Sequence, residues 1–174
     1  GLLPALEKSL IDATDKSKAI VIINPNKLFS IDEINALKRY VEKGGNLLLM
    51  DSVYNTDSTS NQILLNFGMR LEKQFVSLTL NTTDNESRKV IAIPSLTIES
   101  IYNDTILIRD YNTSKVSIAY RDYGSGRVVV IVDSSSFSNA AMGGPVGNPT
   151  EMKKSIYNTA YYVFEKLLKL DTIG

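Results

Sequence analysis

The sequence predicts one α/β domain, a three-layer sandwich whose mixed β-sheet has a parallel core and helices on both faces. Three observations predict it. Two short apolar runs, Ala19 to Ile23 and Leu47 to Met50, flank a segment with helical periodicity, the pattern of a βαβ unit. Val128 to Val132 is an unbroken apolar run, as expected of a central strand covered on both sides. Amphipathic segments near the two ends supply outer layers. At 174 residues the chain has the size of one domain and can bury about two-thirds of its unfolded surface without metal or disulfide support.

The elements follow in order. Leu2 to Ile11 reads as a short helix with Pro4 in its first turn and Leu3, Leu6 and Leu10 on one face. A doubly wound sheet seldom opens on a helix, so the chain reads as an excerpt of a longer protein. Ala19 to Ile23 reads as a strand buried on both faces that stops at Asn24-Pro25. Ser30 with Glu33 fits a capping box, Ile34, Leu37 and Val41 form the apolar stripe of the next helix, and Gly44-Gly45 ends it. Leu47 to Met50 then delivers Asp51 and Ser52. After the polar loop Tyr54 to Ser60, a helix spans Asn61 to Phe67 and stops at Gly68. Short period-two runs at Phe75 to Leu80, Lys89 to Ile93, Thr105 to Arg109 and Val116 to Tyr120 read as an antiparallel or mixed extension of the sheet. Tyr123-Gly124-Ser125-Gly126 folds Val116 to Arg121 back on Arg127 to Val132 as a hairpin. Ser134 to Pro149 is a long loop rich in Gly, Ser and Asn, and Thr150 caps a last helix, Glu151 to Leu170.

Composition removes more chemistry than any motif adds. The chain has no Cys and no His, so thiol nucleophiles, imidazole bases and the usual zinc ligands are absent. Nineteen basic residues balance nineteen acidic ones, which gives no overall field for nucleic acid or an anionic membrane. No apolar run approaches the ~20 residues that span a bilayer, so no membrane insertion by this segment is expected.

Ligand chemistry in parallel sheets gathers past the carboxyl ends of the strands. Here those ends offer Asn24, Asp51, Ser52 and Asp133, with Asn139 nearby in the long loop. Asp51 and Asp133 with amide oxygens could hold Mg²⁺ or Ca²⁺. Against that, Asp and Ser at strand ends are also the ordinary caps of the following turn. Asp133-Ser134-Ser135-Ser136 misses the D-x-S-x-S cation motif because Phe137 replaces its second serine. Ser52 as a nucleophile would need a carboxylate, a lysine such as Lys27, or a tyrosine as base. Asn81, Asn85, Asn103 and Asn112 each open an N-x-S/T sequon. Tyr157, Tyr161 and Tyr162 with Phe164 could form a sugar-stacking or partner-docking patch on the last helix, but core packing accounts for Tyr157, Phe164 and Tyr161 without a ligand, and Tyr162 is expected to face outward as a partner contact.

The run from IVIINP through the capped helix to GGNLLLMDS, then NQILLNFGM and GSGRVVVIVDSSSFSN, resembles the class I glutamine amidotransferase-like fold, which is flavodoxin-like in architecture. More narrowly it is similar to the noncatalytic branch found in prokaryotic membrane-associated proteins and in accessory domains of gliding-type ABC transporters. In the catalytic members a Gly-rich oxyanion loop follows the first strand, where this chain has Asn24-Pro25-Asn26; the nucleophile elbow matches Asp51-Ser52-Val53, and the triad His falls at or near Asp133. All three places are replaced. The resemblance thus implies the scaffold without the glutaminase reaction and no resident cofactor. The expectation is a noncatalytic binding or scaffolding module, part of a membrane-associated or transport-related protein, whose crevice takes a protein partner or a small polar ligand such as a carbohydrate. The competing expectation is a cation-dependent hydrolase or transferase using Asp51 and Asp133.

Overall fold

The computed structural model describes residues 9–81, 88–109, 115–138 and 149–168. Helix α1 (Leu10–Lys16) leads into strand β1 (Ala19–Ile23), helix α2 (Ile31–Glu42) and strand β2 (Asn46–Met50). A short helix α3 (Ser60–Leu64) tightens into a 3₁₀ turn at Leu65–Phe67 and closes on Gly68, which holds the left-handed φ of 72°. Two long strands follow, β3 (Met69–Asn81) and β4 (Arg88–Ser100), then β5 (Ile106–Arg109), β6 (Val116–Tyr123) and β7 (Gly126–Ile131). Helix α4 (Glu151–Tyr161) runs on as a π-helical turn, Tyr162–Leu167.

The main sheet has the order β1-β2-β7-β6-β5. β1, β2 and β7 are parallel, with Ile20 beside Leu47 and Leu48 beside Val129, while β6 and β5 add on antiparallel. The expected α/β class and mixed sheet with a parallel core are therefore present. The capping box forms as read: Ser30 Oγ accepts from the Glu33 N–H at 3.2 Å and the Ser30 N–H donates to Glu33 Oε2 at 2.8 Å. Such a cap contributes about 1 kcal/mol. Full burial of Leu37 and Val41 contributes ~1.5–3 kcal/mol apiece, so packing fixes α2 and the cap sets where it starts. β7 is buried at every position.

Alternation along the strands feeds two cores. Leu47, Leu49, Val128 and Val130 face α1, α2, α3 and the base of the β3–β4 hairpin. Leu48, Met50, Val129 and Ile131 face Val163, Leu167 and Leu168 of the last helix. Arg127 ties that helix down: its guanidinium pairs with Asp122 at 2.6 Å and donates through Nη1 to the Leu167 carbonyl at 3.1 Å. The Gly126 that precedes it lies so close to Val41 and Gly45 that a Cβ would strike both carbonyl oxygens.

Several expectations need correction. β1 is an edge strand, with Val21 44% and Ile23 59% exposed, because the last helix covers only the centre of its face. The described first helix is Leu10–Lys16, later than expected, and residues 1–8 lie outside the described residues. β3 and β4 do not extend the main sheet. They form a separate two-stranded hairpin, buried at its base through Met69, Leu71, Leu96 and Ile98 and open further out, where Phe75 is 76% exposed. The last helix is α-helical only to Tyr161, and its first half is largely open: Tyr157, Tyr161 and Tyr162 are all exposed, Tyr162 as expected.

Candidate functional site

Parallel pairing brings the carboxyl ends of β1, β2 and β7 to one rim, and backbone bonds lace that rim together. The Asn24 N–H donates to the Met50 carbonyl at 2.9 Å, the Asp51 N–H to Ile131 at 3.0 Å, and the Ser134 N–H to Asp51 at 3.0 Å. Asn24 holds a left-handed φ of 46°, and its Oδ1 accepts from the Ser134 hydroxyl at 2.7 Å. The carboxyl ends of the three parallel strands are thus bonded to one another.

Asp51 is the hub. Its side chain is fully buried, and its carboxylate accepts four hydrogen bonds from the loop that follows β2. Oδ1 takes the Ser52 N–H at 2.8 Å and Asn55 Nδ2 at 2.9 Å, and Oδ2 takes the Ser60 hydroxyl at 2.5 Å and the Ser58 hydroxyl. A carboxylate out of water must be satisfied by donors or by a counter-charge, and here the donors are neutral groups of one short loop. That loop is fixed in turn to the β1–α2 connection: Asn55 Nδ2 also donates to the Pro25 carbonyl at 3.1 Å, the Thr59 N–H to the same carbonyl at 2.9 Å, and the Thr59 hydroxyl to Lys27 at 2.9 Å.

Asp133 is exposed, and its two oxygens accept from the hydroxyls of Ser135 at 2.5 Å and Ser136 at 2.6 Å, closing the turn Ser134–Phe137 on itself. Ser52 is buried, and its Oγ accepts from the Tyr54 N–H at 3.2 Å. No group of three or more acidic side chains that could hold a metal occurs among the described residues. Asn139 and the sequons at Asn85 and Asn112 lie outside the described residues; Asn103 is exposed on the turn before β5.

What opens to solvent beside this rim is a groove of about 250 Å³. Ser52, Val53 and Tyr54 form one wall, Val132, Asp133 and Ser135 the floor at the end of β7, and Val76 with Ile93 to Leu96 of the β3–β4 hairpin the other wall; Lys115, just before β6, completes it. So Ser52 and Asp133 of the expected crevice meet here, while Asp51 lies beneath it and Asn24 binds Ser134. The hairpin wall and Lys115 were not foreseen. Their approach depends on contacts between residues 20 apart, such as Lys115 Nζ donating to Ser95 Oγ at 2.6 Å, and no local periodicity signals them.

The family described as a domain of unknown function (DUF4350) matches residues 4–146. No curated protein matches the sequence. Among solved structures, the mmIFT52 N-terminal domain superposes with a TM-score of 0.65 at 17% identity, covering 96% of this chain and 84% of that one. Cytoplasmic Protein STM1381 from Salmonella typhimurium LT2 gives 0.49 at 14% identity over 94% of this chain and 74% of its own. The GH42 β-galactosidase Gan42B gives 0.48 at 17% identity over 88% of this chain, which spans 22% of that enzyme. The first of these shows a shared fold.

Proposed function

We propose, from the premise that the chain belongs to the DUF4350 family, that it is a noncatalytic binding module on an amidotransferase-like, flavodoxin-like scaffold, serving a membrane-associated or transport-related protein. The observation that carries the reading is the state of Asp51. The residue best placed to be a base, nucleophile or metal ligand spends both carboxylate oxygens on four donors of its own loop. Its work is to shape the groove wall at Ser52 to Tyr54. Ser52 supports the same reading, because no carboxylate, lysine or tyrosine side chain is bonded to its Oγ among the described residues. A cation bound by Asp51 would have to displace donors from its oxygens, each of which already accepts two bonds, and the Ser52 backbone N–H among them cannot turn to offer a lone pair. No helix among the described residues is long and apolar enough to cross a membrane.

Nuclear magnetic resonance titration with a library of small polar and amphipathic fragments tests this. Shifts clustered at Ser52 to Tyr54, Ser95 to Leu96 and Val132 to Ser135 are expected. Turnover of acyl, phosphoryl or glycosyl substrates that depends on Asp51 would overturn the reading.

A further inference from the structure

We propose that the groove takes a small organic monoanion, a carboxylate with an apolar body, whose head sits on Lys115. This rests on the reading of the crevice as a binding site and adds the class of its ligand. Lys115 is half-buried, and its ammonium donates to the hydroxyl of Ser95, itself buried at 7% exposure. Among the described residues no carboxylate lies within the 4.0 Å of an ion pair with it. An ammonium has three donors, and a partly desolvated one is strongly favoured by an anion that brings charge-assisted bonds. Ser95 holds the ammonium in place, which lowers the entropy cost of using it.

The rest of the groove sets the remaining features. Val53, Val76, Ile93, Leu96 and Val132 supply an apolar lining for the body of the ligand, and Tyr54, 79% exposed, can close over it from the lip. Asp133 lines the same groove and repels a dianion such as phosphate more than a monoanion, whose single charge Lys115 neutralises. The volume of about 250 Å³ equals roughly eight waters of bulk liquid, which limits the enclosed part to the size of a single amino acid or phenyl acid.

The test uses three probes of one shape, sodium 3-phenylpropanoate, 3-phenylpropanamide and 3-phenylpropylamine, titrated against the wild-type chain and its Lys115→Met and Lys115→Arg variants by amide resonance. The acid should bind at least tenfold more tightly than the amide, Lys115→Met should erase that preference without altering the spectrum elsewhere, and Lys115→Arg should restore most of it. Equal binding of acid and amide, or a preference that survives in Lys115→Met, overturns the proposal. If only the amide or the amine perturbs the groove, the anion assignment falls and the binding crevice stands. If none of the three perturbs it, both fall.

Discussion

Replacing Asp51 by Ala should unfold this protein far more readily than its place at the end of a strand would suggest. The substitution strands four donors. The Asn55 amide keeps the Pro25 carbonyl, and Ser58 is exposed, so its hydroxyl can turn to water. The Ser52 N–H and the Ser60 hydroxyl have no such outlet, since Ser52 is 5% and Ser60 0% exposed. Each buried donor left unmet costs about 1–3 kcal/mol, so the expected loss is about 4 kcal/mol, or a fall of roughly 10 °C in Tm for a chain of this length. Asp51→Asn keeps one acceptor oxygen and should lose about half as much. Asp133→Ala should lose under ~1 kcal/mol, because its serine partners reach solvent. Urea unfolding at neutral pH measures all three, and amide exchange should show residues 52–60 opening first in Asp51→Ala. A loss below ~1 kcal/mol for Asp51→Ala would refute the reasoning, since the carboxylate would then not be what holds the loop.

Other consequences are open to measurement. Gly126→Ala drives a methyl into the carbonyl oxygens of Val41 and Gly45, which are backbone atoms that cannot swing aside, and should cost about 3 kcal/mol or more in urea unfolding. Arg127→Ala removes the Asp122 pair and the bond to the Leu167 carbonyl, and should cost about 1–2 kcal/mol while making the 149–168 segment the first site of limited proteolysis. Burial pushes the Tyr40 phenol up to about 12 from 10.0, so the folded protein keeps a proton that the unfolded chain gives up. Stability is untouched below pH 10 and falls as pH climbs from about 10 to about 12. In Tyr40→Phe that part of the fall should vanish, along with the last-titrating step of phenolate absorbance.

The first half of the fold was legible because its signals are local. The capping box at Ser30 and Glu33, the glycine stop at Gly44 and the apolar runs of β1 and β2 each involve residues within a few positions of one another, and each lies where it was read. The Gly124-Ser125 turn and the central place of β7 were legible for the same reason. Which strand takes the edge was not, because an apolar run looks the same whether a helix covers it or stops short, as it does over Val21 and Ile23. The strands expected at Phe75 to Leu80 and Lys89 to Ile93 as an extension of the main sheet are instead the longer β3 and β4 of a separate hairpin. Its base alternates Arg70 and Glu72 with Met69 and Leu71, and the cross-strand pair of Arg70 with Glu99 at 2.7 Å stabilises a polar face that resembles a loop in sequence. Of the site, the rim residues Ser52 and Asp133 could be read from strand ends. The burial of Asp51 under Asn55, Ser58 and Ser60 could not, because a loop of Asn and Ser can face water or a carboxylate equally well. Lys115 carries no local signal, because what defines its place is Ser95 on β4, 20 residues earlier.

The sharpest test of Asp51 as a structural group is a crystal soaked in millimolar Mn²⁺, which stands in for Mg²⁺ or Ca²⁺ and reveals itself by anomalous scattering. The expected map shows no ion at the Asp51 carboxylate and keeps the donors of Ser52, Asn55, Ser58 and Ser60 on its oxygens. An ordered Mn²⁺ coordinated by Asp51, with those donors displaced, would contradict the account and turn the crevice into a metal centre.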